Sequence, residues 1–202
     1  MPLALPGQRV GIMGGSFNPA HVGHRLVAET AVKRLQLDQL WWLVTPGNPL
    51  KAHNGLPPLA QRMAGARRFA RGPRMIVTGF ERELGTPYTA ATLGFLRRRL
   101  PGVRFVWVMG ADNLATFHRW QHWRGIAAPM PLAVVDRPGW RLKALASPAA
   151  GALGRARRPE TLAAKLPALR APAWTYLTSR LSEESSTRLR ATAPRIPAVP
   201  SK

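Results

Sequence analysis

The sequence of 202 residues has no cysteine and only nine acidic residues, three of them aspartates. The absence of cysteine excludes disulfide bridges, thiolate metal sites and cysteine nucleophiles. With so few carboxylates, a site in which several of them bind metal ions is difficult to assemble. No apolar run approaches the roughly 18 residues that indicate a membrane span, and residues 1–9 lack the order of a signal peptide. We therefore expect a folded, cytoplasmic protein.

Positive charge, by contrast, is abundant. Thirty Lys and Arg residues, 25 of them Arg, give a formal net charge of +21. Such a balance indicates an anionic partner, which could be nucleic acid, a membrane surface or a phosphorylated small molecule. The chain is also rich in Ala, Gly and Pro, so a general compositional bias that scatters Arg over a solvated surface explains many of these residues equally well.

Apolar runs and helical periodicity alternate along the first two thirds of the chain. Strands are predicted at residues 9–14, 40–45, 74–78, 103–109 and 131–135, with a further candidate at 173–177. Helices are predicted at 24–37, 58–71 and 89–100. This alternation predicts an α/β fold: a three-layer, Rossmann-like parallel sheet with helices on both faces and a small C-terminal helical segment.

One domain is expected over residues 1–202, with a sheet core at 9–140 and a C-terminal segment at 174–192. The residues between them, 141–173, form a predicted loop-rich insertion, since 138–173 combine many Pro, Gly, Ala and Arg with little periodicity. We expect this insertion to be a surface loop or loosely packed, with one short helix near 160–166.

Ligands of parallel sheets bind beyond the carboxyl ends of the strands, where the strand order reverses. The loops to consider are therefore 14–24, 45–54, 78–89, 110–120 and 136–140. The first of them joins a strand to a helix, where glycine N–H groups and the helix N-terminus favour an anion. His21 and His24 lie there at a spacing that lets both rings face one side.

Neutral or protonated imidazoles at this position suit a phosphate. In the alternative interpretation, one histidine caps the helix and the other packs. A zinc site is less favoured, because His53, His118 and His122 offer no obvious third ligand. The chain contains no Walker loop and no dinucleotide fingerprint in its first turn.

Residues 15–24, Gly-Ser-Phe-Asn-Pro-Ala-His-Val-Gly-His, fit the pattern G-x-F-x-P-x-H-x-G-H. This pattern resembles that of the adenylyltransferase and cytidylyltransferase superfamily, whose H-x-G-H element also occurs in class I aminoacyl-tRNA synthetases. About 160 residues later, Ser185-Ser-Thr-Arg-Leu-Arg190 resembles the S-S-T-x-[IL]-R motif that closes the same nucleotide site. A tRNA synthetase is excluded, because 202 residues leave no room for an anticodon-reading region.

Four central segments are similar to those of the bacterial nicotinate-nucleotide adenylyltransferases: residues 46–51, 85–93, 109–120 and 136–139. The resemblance covers most of residues 9–190. It implies adenylyl transfer from ATP, with Mg²⁺, to nicotinate mononucleotide, giving nicotinate adenine dinucleotide and pyrophosphate in NAD biosynthesis. Alternatives are transfer to nicotinamide mononucleotide or another phosphorylated acceptor and, in a different class, a basic nucleic-acid-binding protein. Nucleic acid is otherwise expected to bind only non-specifically, and a homo-oligomer is compatible with the sequence.

The resemblance also implies roles for individual residues. The residues expected to act on the reacting phosphates are His21, His24, Lys51 and Arg190. ATP would be bound by Gly14, Gly15, Ser16, Phe17, Gly110, Asp112, Ser186 and Thr187. The acceptor would be bound by Thr89, Trp120 and Arg137. No protein metal site is expected, because Mg²⁺ would be held largely by the nucleotide and water.

Several of these residues have a second interpretation. Asp112 could be a helix N-cap, Trp120 an ordinary core residue and Arg137 a surface arginine, while Tyr88 is expected to pack rather than to contact a ligand. Two positions depart from the family pattern. Asn18 stands where many members have Asp, and Glu184 stands where an apolar residue is usual. We expect the Glu184 departure to touch no proposed contact.

Overall fold

The computed structural model describes residues 1–47, 56–85, 88–180, 184, 186 and 189–190. Its strands are β1 (Arg9–Gly15), β2 (Gln39–Val44), β3 (Met75–Thr78), β4 (Arg104–Gly110), β5 (Leu132–Val135), β6 (Arg157–Arg158) and β7 (Trp174–Leu177). Its α-helices are α1 (Val22–Arg34), α2 (Leu59–Phe69), α3 (Thr89–Arg99), α4 (Ala111–Thr116), α5 (Trp123–Ala127), α6 (Arg141–Leu145) and α7 (Pro148–Ala152). Short 3-10 helices span Phe80–Leu84, Phe117–Arg119, Gly154–Ala156 and Glu160–Ala168.

The strands form one parallel sheet in the order β3-β2-β1-β4-β5-β7-β6. Strand β1 is central, with β2 on one side and β4 on the other. After β1, the chain adds β2 and β3 on one side of it. It then crosses over and adds the remaining strands, beginning with β4, on the other side. The strand order therefore reverses between β1 and β4, and the predicted α/β class is confirmed.

The core lies on both faces of the sheet. Neighbouring residues of β2 show this directly: Trp41 belongs to one buried cluster and Trp42 to the other, and both are fully buried. Because successive side chains of a strand point to opposite faces, two apolar residues in a row indicate a strand that is covered on both sides. Helices α3 to α7 contribute to the Trp41 face, and α1 and α2 to the Trp42 face.

The segment that was expected to be loosely packed has more regular structure than its sequence indicates. Helices α6 and α7 both lie in it, and the expected short helix is a nine-residue 3-10 helix, Glu160–Ala168. Apolar side chains anchor it to the core, with Ala144, Ala149 and Leu166 buried. Loose packing was therefore the wrong expectation for this segment. Within the described part of the chain, no helix is long and apolar enough to cross a membrane.

Candidate active site

A cavity of about 500 Å³ opens over the carboxyl ends of β1 and β4, where the strand order reverses. Gly14 and Gly15 line it from the end of β1, and Gly110 lines it from the end of β4. All five of the loops expected to bear the ligand site contribute lining residues. This position is where a parallel α/β sheet binds its ligand.

The glycine loop leaves β1 with little space around its backbone. A side chain at Gly14 would bring a Cβ within 2.4 Å of Cη2 of Trp107, so only glycine fits there. Phe17 has a φ of +46° and is 2% exposed, with its ring packed against those of Trp42 and His24. A bulky residue in the left-handed region is uncommon and concentrates at functional sites.

His21 and His24 lie side by side at the start of α1. Their ring centroids are 3.8 Å apart, and the backbone N–H of His21, the N-cap residue, donates to Nδ1 of His24 at 3.3 Å. Because Nδ1 accepts this hydrogen bond, the proton of a neutral His24 ring is on Nε2. His21 thus occupies the N-cap position without a capping hydrogen bond from its side chain, its backbone N–H is paired by His24, and both rings line the cavity.

Both imidazoles are neutral at physiological pH. Burial and the nearby Arg137 lower the pKa of His21 to about 4. Burial, His21 and Arg137 together hold the pKa of His24 well below its usual range. Of the two protonation states considered from the sequence, the structure favours the neutral one. His24 thus offers a hydrogen-bond donor, Nε2–H, without a net charge.

Acidification should destabilise the fold through His21. The unfolded residue titrates near 6.5, above the folded value of about 4. The unfolded chain therefore binds the proton first, so stability is complete above about pH 6.5 and is lost as the pH falls toward 4. From pH 8 to pH 5 this group alone should remove roughly 2 kcal/mol from the free energy of unfolding, which urea titrations would measure. The His21→Gln variant cannot titrate here and should depend less on pH; an equal dependence in both proteins would contradict the prediction.

The C-terminal motif meets the glycine loop although the two are far apart in sequence. The Ser186 hydroxyl donates to the carbonyl oxygen of Pro19 at 2.8 Å, and the Arg190 guanidinium donates to that of Asn18. Glu184 accepts the Val22 N–H through Oε2 at 3.1 Å, and its own carbonyl accepts from Nη2 of Arg137 at 3.0 Å. The expectation that Glu184 touches no proposed contact is therefore wrong.

Arg137 reaches from the end of β5 across the start of α1. A Cβ on residue 23 would lie only 2.1 Å from Nη1 of Arg137. Glycine at this position therefore leaves room for the guanidinium. Its Nε is 3.9 Å from Oδ1 of Asp112. The N-cap of α4 is Gly110, and Asp112 is the second residue of the helix. The capping alternative for Asp112 is thus wrong, and its carboxylate faces the cavity with Arg137.

Thr89, Trp120 and Tyr88 form another part of the cavity wall. Trp120 is half-buried and stands edge-on to Trp107 and Phe117, with ring centroids 6.3 Å and 5.4 Å apart. It therefore borders the core and the cavity at once. Tyr88 is 39% exposed and lines the cavity, so the expectation that it only packs is incomplete.

Asp136 is a buried carboxylate that sequence reasoning gave no role. Its Oδ1 accepts from the Tyr176 hydroxyl at 2.6 Å and from the backbone N–H of Arg137 at 2.9 Å. Its Oδ2 accepts from Nε of Arg141 at 3.0 Å. These bonds fix the backbone from which the Arg137 side chain extends.

Arg62 and Glu81 were also missed, and both are almost fully buried. The Arg62 guanidinium donates to the carbonyl oxygens of Ser16 (2.9 Å), Thr45 (2.7 Å), Pro46 (3.1 Å) and Pro57 (2.9 Å). Ser16 and Thr45 line the cavity, so Arg62 joins two of its walls from behind. The signal in the sequence was a charged residue on the helical face that also carries Leu59, Met63 and Ala66.

The cavity is also where unpaired polar atoms concentrate. Six buried side-chain polar atoms in the described residues have no hydrogen-bond partner, and four of them belong to residues that line the cavity: His21 Nδ1, Thr45 Oγ1, Glu81 Oε2 and Trp107 Nε1. Since buried polar groups are normally paired, such a cluster indicates a site that a ligand completes.

Lys51 and Thr187 lie outside the described residues. Every other residue predicted for the site lines this one cavity: Gly14, Gly15, Ser16, Phe17, His21, His24, Thr89, Gly110, Asp112, Trp120, Arg137, Ser186 and Arg190. No cluster of three or more His, Asp or Glu side chains positioned for a metal ion occurs among the described residues.

Comparison with known proteins bears on both family and fold. A model of the cytidylyltransferase-like family matches residues 12–192. A probable nicotinate-nucleotide adenylyltransferase of Rhizobium meliloti (strain 1021) is 60% identical over 181 residues, covering 90% of this chain and 96% of that protein. One of the same name from Caulobacter sp. (strain K31) is 58% identical over 182 residues, covering 90% and 96%. The solved structure of Plasmodium falciparum nicotinic acid mononucleotide adenylyltransferase complexed with NaAD superposes with a TM-score of 0.70 at 14% identity, covering 91% of this chain and 83% of that one.

Proposed function

Since this chain belongs to the cytidylyltransferase-like family and, within it, to the nicotinate-nucleotide adenylyltransferases, we infer that it transfers the adenylyl group of ATP to nicotinate mononucleotide. The products are nicotinate adenine dinucleotide and pyrophosphate, and the reaction is a late step of NAD biosynthesis. The observation that carries this assignment is the meeting of the two motifs at one cavity, through the Ser186–Pro19 and Arg190–Asn18 hydrogen bonds.

The chemistry needs positioning more than proton transfer. An oxygen of the acceptor's 5′-phosphate attacks the α-phosphorus of ATP, and the bond from that phosphorus to the bridging oxygen of pyrophosphate breaks. A phosphate is already ionised at neutral pH, so no strong general base is required. The protein must hold two anions in line and stabilise the charge that develops on the leaving group.

We assign the phosphates of ATP to the loop between β1 and α1. The Nε2–H of His24 donates a hydrogen bond to a phosphate oxygen. The neutral ring of His21 lies directly against the ring of His24. The N–H groups of the glycine loop and the first turn of α1 add partial positive charge. Arg190 brings a full positive charge to the same cavity. Lys51 and Thr187 are proposed to act with them, as the family pattern implies.

We assign the nucleoside part of ATP to the end of β4, where Gly110 allows close approach and the Asp112 carboxylate can accept from ribose hydroxyls. A Cβ at Gly110 would lie 2.4 Å from Oδ1 of Asp112. Because glycine has no Cβ, the Asp112 carboxylate can occupy this position without a clash. The acceptor takes the other part of the cavity, with its ring against Trp120, Thr89 beside the ring and Arg137 near its phosphate.

Mg²⁺ enters with ATP as part of the substrate, held by phosphate oxygens and water, and it neutralises charge on the leaving pyrophosphate. We propose the cytoplasm as the compartment, because the reaction consumes ATP. Nucleic acid is expected to bind only non-specifically to the basic surface, and a homo-oligomer is compatible with the sequence.

Pyrophosphate release tests this function. The purified protein is given ATP and Mg²⁺ with nicotinate mononucleotide or nicotinamide mononucleotide in parallel. We expect release with the nicotinate substrate and a kcat/KM lower by about an order of magnitude or more with the nicotinamide substrate, because a site built for one polar group discriminates against its replacement. Release with neither acceptor would contradict the assignment.

A further inference from the structure

Glu81 is a buried carboxyl group with one free oxygen at the edge of the cavity. It is the second residue of the 3-10 helix Phe80–Leu84, which follows β3, and it is 1% exposed. Its Oε1 accepts from the Thr92 hydroxyl at 2.6 Å, and its Oε2 has no partner in the described structure. Burying a carboxyl oxygen without a partner is costly. Because Glu81 lines the cavity, a bound molecule can supply that partner.

The neighbours of Glu81 place it with the residues assigned to the acceptor. Thr92 lies one turn along α3 from Tyr88, and its hydroxyl is also 3.4 Å from the Tyr88 carbonyl oxygen. Tyr88, Thr89 and Trp120 line the same cavity. The Glu81–Thr92 hydrogen bond thus connects the carboxyl group to the start of α3, which forms the proposed ring subsite.

We propose that Glu81 is a specificity-determining residue, whose Oε2–H donates a hydrogen bond to the carboxylate on the acceptor's pyridine ring and favours it over a carboxamide. The proposal rests on the proposed function, because it concerns the acceptor of that reaction. A hydrogen bond from a carboxylic acid to a carboxylate is charge-assisted and roughly twice as strong as one to a neutral amide oxygen. An ionised Glu81 would act in the opposite sense, by repelling a carboxylate and accepting from an amide N–H.

The surroundings favour the protonated form. Burial raises the pKa of Glu81, and the hydrogen bond from Thr92 opposes this in part. None of the ion pairs among the described residues involves Glu81. A bound carboxylate would favour the protonated form further, since two close carboxylates cannot both ionise easily.

The titratable and charged groups around Glu81 lie on its own 3-10 helix, on α2 and α3, and on the cavity wall. Strand β2, which packs against the 3-10 helix, has no titratable side chain. On the 3-10 helix itself, Arg82 and Glu83 are exposed. The charged residues of α3 are exposed in its last turn, and on α2 Arg62 is bonded to carbonyls while Arg67 and Arg68 are exposed. The titratable or charged residues on the rest of the cavity wall are His21, His24, Tyr88, Asp112, Arg137 and Arg190.

The test compares wild type with Glu81→Gln and Glu81→Ala, using KM and kcat for both acceptors from pH 5.5 to pH 9. In the wild type, the KM for nicotinate mononucleotide should rise with pH, because ionisation of Glu81 removes the donor and adds a repulsive charge. The Gln variant keeps an uncharged donor of similar shape, so its KM at pH 7 should stay within about threefold of wild type and lose this rise. The Ala variant should raise that KM about tenfold with kcat changed little, and should change the KM for nicotinamide mononucleotide less.

Glu83→Gln is the matched control, since Glu83 is exposed on the same 3-10 helix, and it should match wild type throughout. Thermal unfolding of each variant shows whether the fold is retained. Equal changes in KM for both acceptors, or the same pH dependence of KM in wild type and Glu81→Gln, would overturn the proposal. A wild type that releases pyrophosphate with neither acceptor would instead contradict the proposed function itself.

Discussion

Replacing His24 with alanine is expected to lower kcat/KM for pyrophosphate release by roughly 10²–10³-fold, the typical effect of removing one donor to a developing anionic charge. The hydrogen bond from the His21 N–H to Nδ1 leaves Nε2–H as the donor of His24. Because this donor acts on charge that grows in the transition state, the loss should appear mainly in kcat. Steady-state kinetics with ATP and nicotinate mononucleotide measure it.

Two further variants sharpen this prediction. His24→Gln places an amide N–H near the position of Nε2 and should retain more activity than the alanine variant, because the donor is neutral. Equal activity of the Gln and Ala variants would contradict this role. His122→Asn is the control: His122 is exposed and outside the cavity wall, and its φ of +51° is one that Asn tolerates. Since the His24 ring packs against Phe17, thermal unfolding should accompany the kinetics.

Replacing Arg62 with methionine is expected to lower the free energy of unfolding by roughly 3 kcal/mol, because several loop carbonyls lose a charged donor at once. Burial lowers the pKa of this guanidinium, yet an arginine stays charged in a protein. Its four hydrogen bonds join residues 16, 45, 46 and 57, two of which line the cavity. Activity should therefore fall as well, measured by urea unfolding and kinetics on the same samples.

The control for Arg62 lies on the same helix. Arg67→Met removes one positive charge from an exposed position of α2 and should change stability by no more than about 0.5 kcal/mol. Arg62→Lys keeps the charge but lacks the planar group that reaches several carbonyls, so it should resemble methionine more than wild type. If Arg62→Met and Arg67→Met were equally stable, the hydrogen bonds of Arg62 would have no net effect on folding.

Much of the fold was predictable because the strands are buried on both faces. Runs such as Leu40–Val44 have no polar residue to obscure their length, and helical periodicity fills the intervals between them. The meeting of the glycine loop with Ser186 and Arg190 was expected only through resemblance to a family, since neither composition nor periodicity relates segments about 160 residues apart.

The roles of Arg62 and Glu81 and the helices of residues 141–152 were not predicted from the sequence, and each omission has a physical reason. Arg62 is one of 25 arginines, most of which are solvated, and its buried carbonyl partners come from loops whose positions depend on the tertiary fold. Glu81 is recognisable only by the oxygen it leaves unpaired. The helices of residues 141–152 are five residues long, too short to show a period, and packing of their small side chains onto the sheet stabilises them.

The order of the strands has a consequence for how this protein is made. Strand β1 and its glycine loop are synthesised before β4, a partner strand of β1 that begins 89 positions after β1 ends. The hydrogen-bonding groups at 184, 186 and 190 that contact the loop follow every strand that the structure describes. A growing chain can therefore assemble its whole sheet and still have no complete nucleotide site. The proposed nucleotide site is therefore completed only after residues 184, 186 and 190 have been added to the growing chain.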